Sequence, residues 1–375
     1  MSPHPLSGKE RIRYSRHLVL PQVGREGQER LAESSALVVG VGGLGSPVAL
    51  YLAAAGVGRI GLVDFDTVSL SNLQRQVLFT EKDLGLLKVD VAKKRLLSLN
   101  SDIKIETFPT RLEAKNGMEV LEGWDVVLDG ADNFPTRYLV NDLSVLLGIP
   151  NVHASLWRFE GQLSLFGGEG PCYRCLFPTP PPRGTVPSCA EGGVLGVLPG
   201  IMGSLQAAEG IKVLLGIGKP LGGRLLLVDV LSMKTKEMRV ERDKNCPLCG
   251  ESPSMTEPMD TEAFCGMLPE EEVGSVRTLS PLRAKEMIEE GALLLDVRQK
   301  VEVRAWRIPG SFWIPMDELP DHLDRLDPLK TIVVHCHQGP RSRSAAALLV
   351  EAGFQDVFIL DGGLDAWAQE GYKTL

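Results

Sequence analysis

The sequence predicts two α/β domains in tandem, the first built on a mostly parallel sheet. Three observations carry that prediction. Residues 37–39 are a short apolar strand candidate running through GVGGLGSP into an apolar, alanine-rich helix candidate at 48–55, and a second strand follows at 60–63, which makes a βαβ unit. A separate alternation of helix and strand patterns starts at Gly274. Between the two, residues 251–273 are acidic, hold several prolines and keep no steady period, which reads as a linker. The expected division is therefore 1–250, a linker 251–273, and 274–375, and a chain of 375 residues is comfortable for two cores.

In the first domain an amphipathic helix at 88–99, strands at 103–108 and 124–128, a helix at 141–147 and a strand at 151–155 continue the alternation. Residues 162–166 and 224–240 are strand-rich, with a helix candidate at 203–215 between them. In the second domain, helices at 281–290 and 343–352 alternate with strands at 293–296, 331–335 and 357–360.

Composition narrows the function classes. The chain is 43% hydrophobic and 23% charged, as in soluble globular proteins, and its net charge of -8 argues against a general nucleic-acid binder. The N-terminal stretch lacks an apolar core of signal-peptide type, and apolar stretches such as 194–202 are short and interrupted by glycine and proline, unlike a membrane span. Four of the seven cysteines fall in two CxxC pairs, which suits a metal in a reducing compartment, the cytoplasm.

Gly40, Gly42, Gly43 and Gly45 lie between a strand and a helix, where backbone can approach a phosphate at a helix N-terminus. Asp64 ends the next strand and is placed for a ribose hydroxyl. NAD, ATP and a merely tight turn all fit this much. Asn72, Arg75 and Lys88 then add donors and positive charge, which a triphosphate under cleavage needs and hydride transfer does not. DGADNFPTR places Asp129 and Asp132 at another strand end; Asp129 reads as a turn cap and Asp132 as a magnesium ligand.

Cys172 and Cys175 pair with Cys246 and Cys249 as a tetrahedral structural zinc site, each CxxC supplying two thiolates from one turn. Cys189 stands alone after proline-rich sequence, where a packed and a reactive role both fit. In HCHQGPRSRS, Arg341 is the fifth residue after Cys336 and Ser342 the sixth; a loop this short makes a tight nest of N–H groups, better suited to a terminal sulfur than to a phosphoryl group. Arg343 falls outside the loop, His337 lies within it, and His335 points into or under the sheet.

RYSRHLVLPQVGREGQERL, VGVGGLGSPVALYLAAAGVG, DFDTVSLSNLQRQ, DGADNFPTRYLVND, FEGQ, GPCYRCLF, SCAEGGVLGVLPGIMGSLQAAEGIK and CPLCG together resemble the adenylyltransferases of molybdopterin and thiamine biosynthesis, bacterial relatives of the ubiquitin-activating enzymes, over residues 11–250. The resemblance implies a Rossmann-like ATP-binding domain, a homodimer, ATP with magnesium, and a ubiquitin-like carrier ending in Gly-Gly that becomes an acyl-adenylate. By position, Gly43, Asp64, Ser71, Asn72, Leu73, Gln74, Arg75, Lys88, Asp132 and Asn133 would contact nucleotide or its metal, Arg16 would reach the partner subunit's phosphates, and Cys189 would bond with the activated carrier. LLDVR, Glu302, IPGSFWIP, the HCHQGPRS loop and DGGLDAW resemble the rhodanese sulfurtransferases over residues 274–375, with Cys336 as persulfide carrier and Arg341 in its loop.

The pairing of domains implies a relay. A donor such as a cysteine desulfurase loads Cys336, and its terminal sulfur displaces AMP from the carrier's glycine to give a thiocarboxylate. The alternatives are adenylation followed by protein conjugation with a regulatory or docking rhodanese domain, an NAD-dependent oxidoreductase, and a noncatalytic zinc-stabilised scaffold.

Overall fold

The computed structural model describes residues 5–168, 170–181, 192–265, 276–337 and 339–375. Cys189 lies outside the described residues. Two compact units are present: one holds the chain up to Pro180 and from Gly192 to Phe264, and the other includes Cys265–Leu375.

The first unit is built on an eight-stranded sheet. Its strands are β1 (Ser35–Val39), β2 (Arg59–Val63), β3 (Lys104–Phe108), β4 (Val126–Asp129), β5 (Asn151–Trp157), β6 (Glu160–Phe166), β7 (Arg224–Asp229) and β8 (Lys234–Arg239), in the order β3-β2-β1-β4-β5-β6-β7-β8. From β3 to β5 the pairing is parallel, and from β5 to β8 it is antiparallel. β1 and β4 are buried along their whole length, as parallel strands covered on both faces must be. The order turns back at β1, so a crevice opens beyond the carboxyl ends of β1 and β4, the usual ligand position in such sheets.

Helix Gly45–Ala55 is largely apolar and buries most of its residues in the core it shares with the sheet and helix Val197–Leu215, leaving Tyr51 exposed. Gln206 of the latter donates Nε2 to the carbonyls of Asp129 and Val152, both at 2.8 Å, pinning the helix to the sheet. Helix Phe134–Leu147 covers the other face, with Leu139 and Leu143 against Trp124 and Leu37.

Three helices start earlier than apolar pattern alone predicts. Val197–Leu215, Phe134–Leu147 and Pro340–Glu351 carry Pro199, Pro135 and Pro340 in their first turns, where a missing N–H costs nothing. Helices Gly8–Arg13, Ser15–Leu18 and Gly24–Glu33 form in polar sequence with few apolar residues. Residues 251–264, read from sequence as linker, instead belong to the first unit. Helix Thr261–Phe264 is seated there with Thr261 buried, because Met255, Met259 and Phe264 supply apolar contacts that the acidic, proline-containing pattern conceals.

The second unit has a parallel five-stranded sheet of β9 (Arg277–Leu279), β10 (Leu293–Asp296), β11 (Phe312–Trp313), β12 (Ile332–His335) and β13 (Val357–Leu360), ordered β11-β10-β12-β13-β9. One face buries Cys336, Ala345 and Leu349; the other buries Leu364 and Trp367. Among the described residues, no helix is long and apolar enough to cross a membrane.

Candidate active sites

The crevice at β1 and β4 is shaped by glycine. Gly40 takes φ +82°, and a Cβ on Gly45 would lie 1.8 Å from the Gly40 carbonyl oxygen, so neither position admits a side chain. The loop after β1 and the loop after β4 touch: a Cβ on Gly40 would meet the Gly130 oxygen at 3.0 Å. Asp64, at the end of β2, accepts the Val41 N–H on Oδ2 (2.8 Å) and the Asp66 N–H on Oδ1 (2.9 Å). Each oxygen keeps a further lone pair for a hydroxyl. Burial pushes the Asp64 pKa up, and the charge of Lys88 is the largest opposing influence.

Lys88 opens helix Lys88–Leu99, is buried, and places Nζ 2.8 Å from Oδ2 of half-exposed Asp66. Asp66 thus aims the lysine, a role that the two-residue step from Asp64 hints at in sequence. Arg75 donates to the Ser71 carbonyl at 3.0 Å, and its Cδ lies 3.6 Å from where a Cβ on Gly43 would stand, so Gly43 and Arg75 are neighbours. Asn72 accepts the Ser69 N–H at 3.1 Å and closes the short 3₁₀ turn that carries Ser71. Leu73 packs against the core, and Gln74 presses on Gly196, where any Cβ would meet its carbonyl at 2.3 Å.

Gln76, at the end of the same segment, goes unremarked in a sequence reading. It is 4% exposed, its Nε2 lies 3.6 Å from a Cβ built on Gly42, and its Oε1 is buried with no hydrogen-bond partner among the described residues. A buried amide facing the glycine loop with an unused acceptor fits a site that receives a polar ligand.

Asp132 and Asn133 are exposed at the end of the loop after β4. Asn133 caps helix Phe134–Leu147 by accepting the Thr136 N–H at 2.9 Å, and its Nδ2 lies 3.4 Å from Asp132. Asp129 is a structural carboxylate: fully buried, it accepts the Ala131 N–H (2.9 Å) and pairs with Nδ1 of His153 (2.7 Å). Arg16 is exposed on Ser15–Leu18 and has no contact with these groups among the described residues.

The four cysteines of the two CxxC pairs converge. Their sulfurs all lie within 4.8 Å of one another, with Cys172–Cys175 at 3.8 Å, Cys172–Cys246 at 3.6 Å and Cys175–Cys249 at 3.3 Å. A tetrathiolate zinc with bonds of about 2.3 Å puts its sulfurs about 3.8 Å apart, so the cluster fits that ion. The Asp243 N–H points at the Cys175 sulfur from 3.4 Å, in the manner of an outer-shell donor. Without a cation the thiols cannot ionise together. Hydrogen bonding from Cys172 pulls Cys249 down to about 5, while the same bond, together with burial, pushes Cys172 far up.

In the second unit Cys336 follows β12 and is 1% exposed. Its sulfur accepts the Gly339 N–H at 3.0 Å and lies 3.7 Å from the Ser342 hydroxyl, which itself donates to the Gly339 carbonyl. Arg341 pairs with Glu302: its Nη1 and Nη2 lie 2.7 and 2.8 Å from the carboxylate. Glu302 also caps helix Lys300–Ala305 through the Gln299 N–H. Beneath the loop, His335 is fully buried and burial lowers its pKa to about 4; nearby Asp296 is clamped by Arg298 at 2.9 and 2.6 Å. His337 sits at the loop edge, 3.1 Å from Asp365, and Arg343 is exposed on the following helix.

Comparison with known proteins agrees with this architecture. Residues 14–248 match the ThiF family and residues 280–370 the rhodanese-like domain. A sulfur carrier protein adenylyltransferase of Thermus thermophilus is 56% identical, covering 69% of this chain and 98% of its own. A probable adenylyltransferase/sulfurtransferase, MoeZ, of Mycobacterium tuberculosis is 43% identical over 97% of this chain and 94% of its own. The adenylyltransferase and sulfurtransferase MOCS3 of Sus scrofa is 44% identical over 98% of this chain and 88% of its own. Among solved structures, E. coli MccB with ATP superposes with a TM-score of 0.56 at 26% identity, over 64% of this chain and 74% of that one. The chain belongs to the ThiF family, carries a rhodanese-like domain after that region, and is an adenylyltransferase and sulfurtransferase.

Proposed function

We propose that the chain adenylates the C-terminal glycine of a ubiquitin-like sulfur-carrier protein and then exchanges AMP for sulfur held on Cys336. We assign adenylation to residues 1–250 and sulfur delivery to 274–375, with 251–273, whose residues 251–264 pack with the first unit, as the connection. The carrying observation is that one chain holds both the Gly43–Arg75–Lys88 crevice and a buried cysteine that receives a backbone N–H.

A carboxylate has no leaving group of its own, so it must first be activated. Backbone at Gly43 lets the triphosphate approach, and Asp64 takes the ribose. Ser71, Asn72, Leu73, Gln74 and Arg75 form one wall, and Asn133 rims the other side. Lys88, aimed by Asp66, and Arg75 balance charge that develops on the phosphate oxygens. Asp132, exposed at the end of the loop after β4, would hold magnesium, which would supply positive charge to the phosphates. Arg16, exposed near the N-terminus, would complete the site of the partner subunit in a homodimer. The glycine carboxylate attacks the α-phosphate and pyrophosphate leaves, giving the acyl-adenylate.

Sulfur delivery starts with a Cys336 persulfide, loaded by a donor such as a cysteine desulfurase. The N–H of Gly339 and the tight loop favour its anionic form, and the Glu302-bound Arg341 fixes the loop. The terminal sulfur attacks the glycyl carbon and AMP leaves with the bond electrons, giving an acyl disulfide. The Cys189 thiolate attacks the Cys336 sulfur and expels the carrier thiocarboxylate. Two equivalents of a cellular thiol then reduce the resulting Cys189–Cys336 disulfide, leaving as their own disulfide. Cys172, Cys175, Cys246 and Cys249 hold a structural zinc. Free thiols in these roles suit a reducing compartment, and we assign the protein to the cytoplasm. ATP–pyrophosphate exchange that requires a Gly-Gly-ending carrier, and is lost when its last glycine is removed, tests the reading; exchange without any carrier would sink it.

A further inference from the structure

Arg174 lies inside the first CxxC turn and is 4% exposed. Its guanidinium makes two bonds of 2.7 Å to the fully buried Asp142, sits 5.0 Å from the Tyr138 ring centroid and 4.6 Å from that of Phe264, and donates to the Met259 sulfur at 3.1 Å. Tyr138 and Phe264 also meet edge to face at 5.2 Å. Two of these partners, Met259 and Phe264, come from the segment whose sequence reads as linker. A second hold is Glu262, paired at 2.6 Å with Arg111, whose guanidinium lies 5.8 Å from the Phe65 ring beside Asp64. Asp260 caps the short helix by accepting the N–H groups of Glu262 and Ala263.

We infer that Phe264, clasped by Arg174, is the anchor that fixes where the sulfur-delivering arm leaves the adenylation unit, and so is a positioning residue for sulfur transfer. The inference rests on the Cys336 relay proposed above. A connecting chain counted from Gly250 to Val276 has a contour of up to about 90 Å, whereas one counted from Phe264 reaches about 40 Å. Intramolecular encounter falls roughly as the −3/2 power of tether length, so freeing the strap lowers the effective concentration of Cys336 at the adenylate about three-fold. Phe264 meets Arg174 and Tyr138, neither of which is among the residues assigned to the nucleotide, so pyrophosphate exchange should be retained when Phe264 is replaced.

The test uses the full-length Phe264→Ala variant with a Gly-Gly carrier. Limited proteolysis should show new cleavage within 251–264, carrier-dependent pyrophosphate exchange should stay within two-fold of wild type, and single-turnover transfer from persulfidated Cys336 should fall about three-fold. Thiocarboxylate formation fed by free sulfide, which bypasses the arm, should not change, and Phe264→Tyr should restore transfer. A flexible Gly-Ser insert after Cys265, matched in length to 251–264, leaves the anchor intact and should reproduce the loss. New cleavage with an unchanged transfer rate, an insert without effect, or no new cleavage would each overturn the anchor. If the wild-type protein exchanges pyrophosphate yet forms no donor-dependent thiocarboxylate, the relay itself falls and the anchor with it.

Discussion

Arg341 is gripped by Glu302: two parallel N–H···O bonds of 2.7 and 2.8 Å join side chains that are 14% and 11% exposed. The positive charge next to the cysteine is therefore a fixed strut between the loop and helix Lys300–Ala305. Glu302→Ala removes the bidentate carboxylate from a mostly buried charge, and we expect a loss of about 3 kcal/mol in urea unfolding of the second unit. Arg341→Ala combined with Glu302→Ala should cost clearly less than the sum of the two single changes, because both remove the same pair. Strict additivity would contradict the strut.

Lys88 is held by Asp66 at 2.8 Å with little exposure. Lys88→Ala removes a fixed cation from the crevice and should lower the rate of ATP–pyrophosphate exchange about 100-fold. Asp66→Asn keeps the cation but loosens its aim, so a smaller loss in the same assay is expected. Equal losses from both would make Asp66 more than a positioning partner.

The thiol cluster should carry stoichiometric zinc by elemental analysis of the purified chain. Cys249→Ser should abolish zinc retention and lower the melting temperature of the first unit by about 10–20 °C. A variant that loses zinc yet melts as wild type would show that the cluster does not support the fold.

His335 is buried in its neutral form, with a pKa near 4 against an ordinary 6.5. Between those values the unfolded chain binds a proton that the folded chain refuses, so stability falls as pH drops from 6.5 to 4 and levels off below. The full effect is about 3 kcal/mol. Hydrogen exchange of strand Ile332–His335, corrected for intrinsic pH dependence, should show the decline, and His335→Gln should flatten it.

The crevice was legible in sequence because its signals are local: glycines where a Cβ would strike backbone, and Asp64 at a strand end. The cysteine cluster was legible because equal spacings recur seventy residues apart. Partnerships were not. Glu302 is separated from Arg341 by strands β11 and β12 and a 3₁₀ helix between them, and Asp66 from Lys88 by the whole segment that carries Ser71–Arg75. The same holds for 251–264. Its prolines and acids dominate any local pattern, and its structure is dictated by Arg174 and Arg111, which lie far upstream. Helices 8–33 escaped for a different reason, since so few of their residues are apolar that an apolar pattern does not announce them.

The central claim is that sulfur reaches the carrier through Cys336. Intact-mass measurement of a Gly-Gly carrier, after incubation with ATP–magnesium and a persulfide-generating desulfurase, tests it most directly. With the wild-type protein the carrier should appear with one oxygen replaced by sulfur. With Cys336→Ser it should accumulate as the AMP adduct or return unchanged. Normal thiocarboxylate formation by Cys336→Ser with that donor would contradict the account.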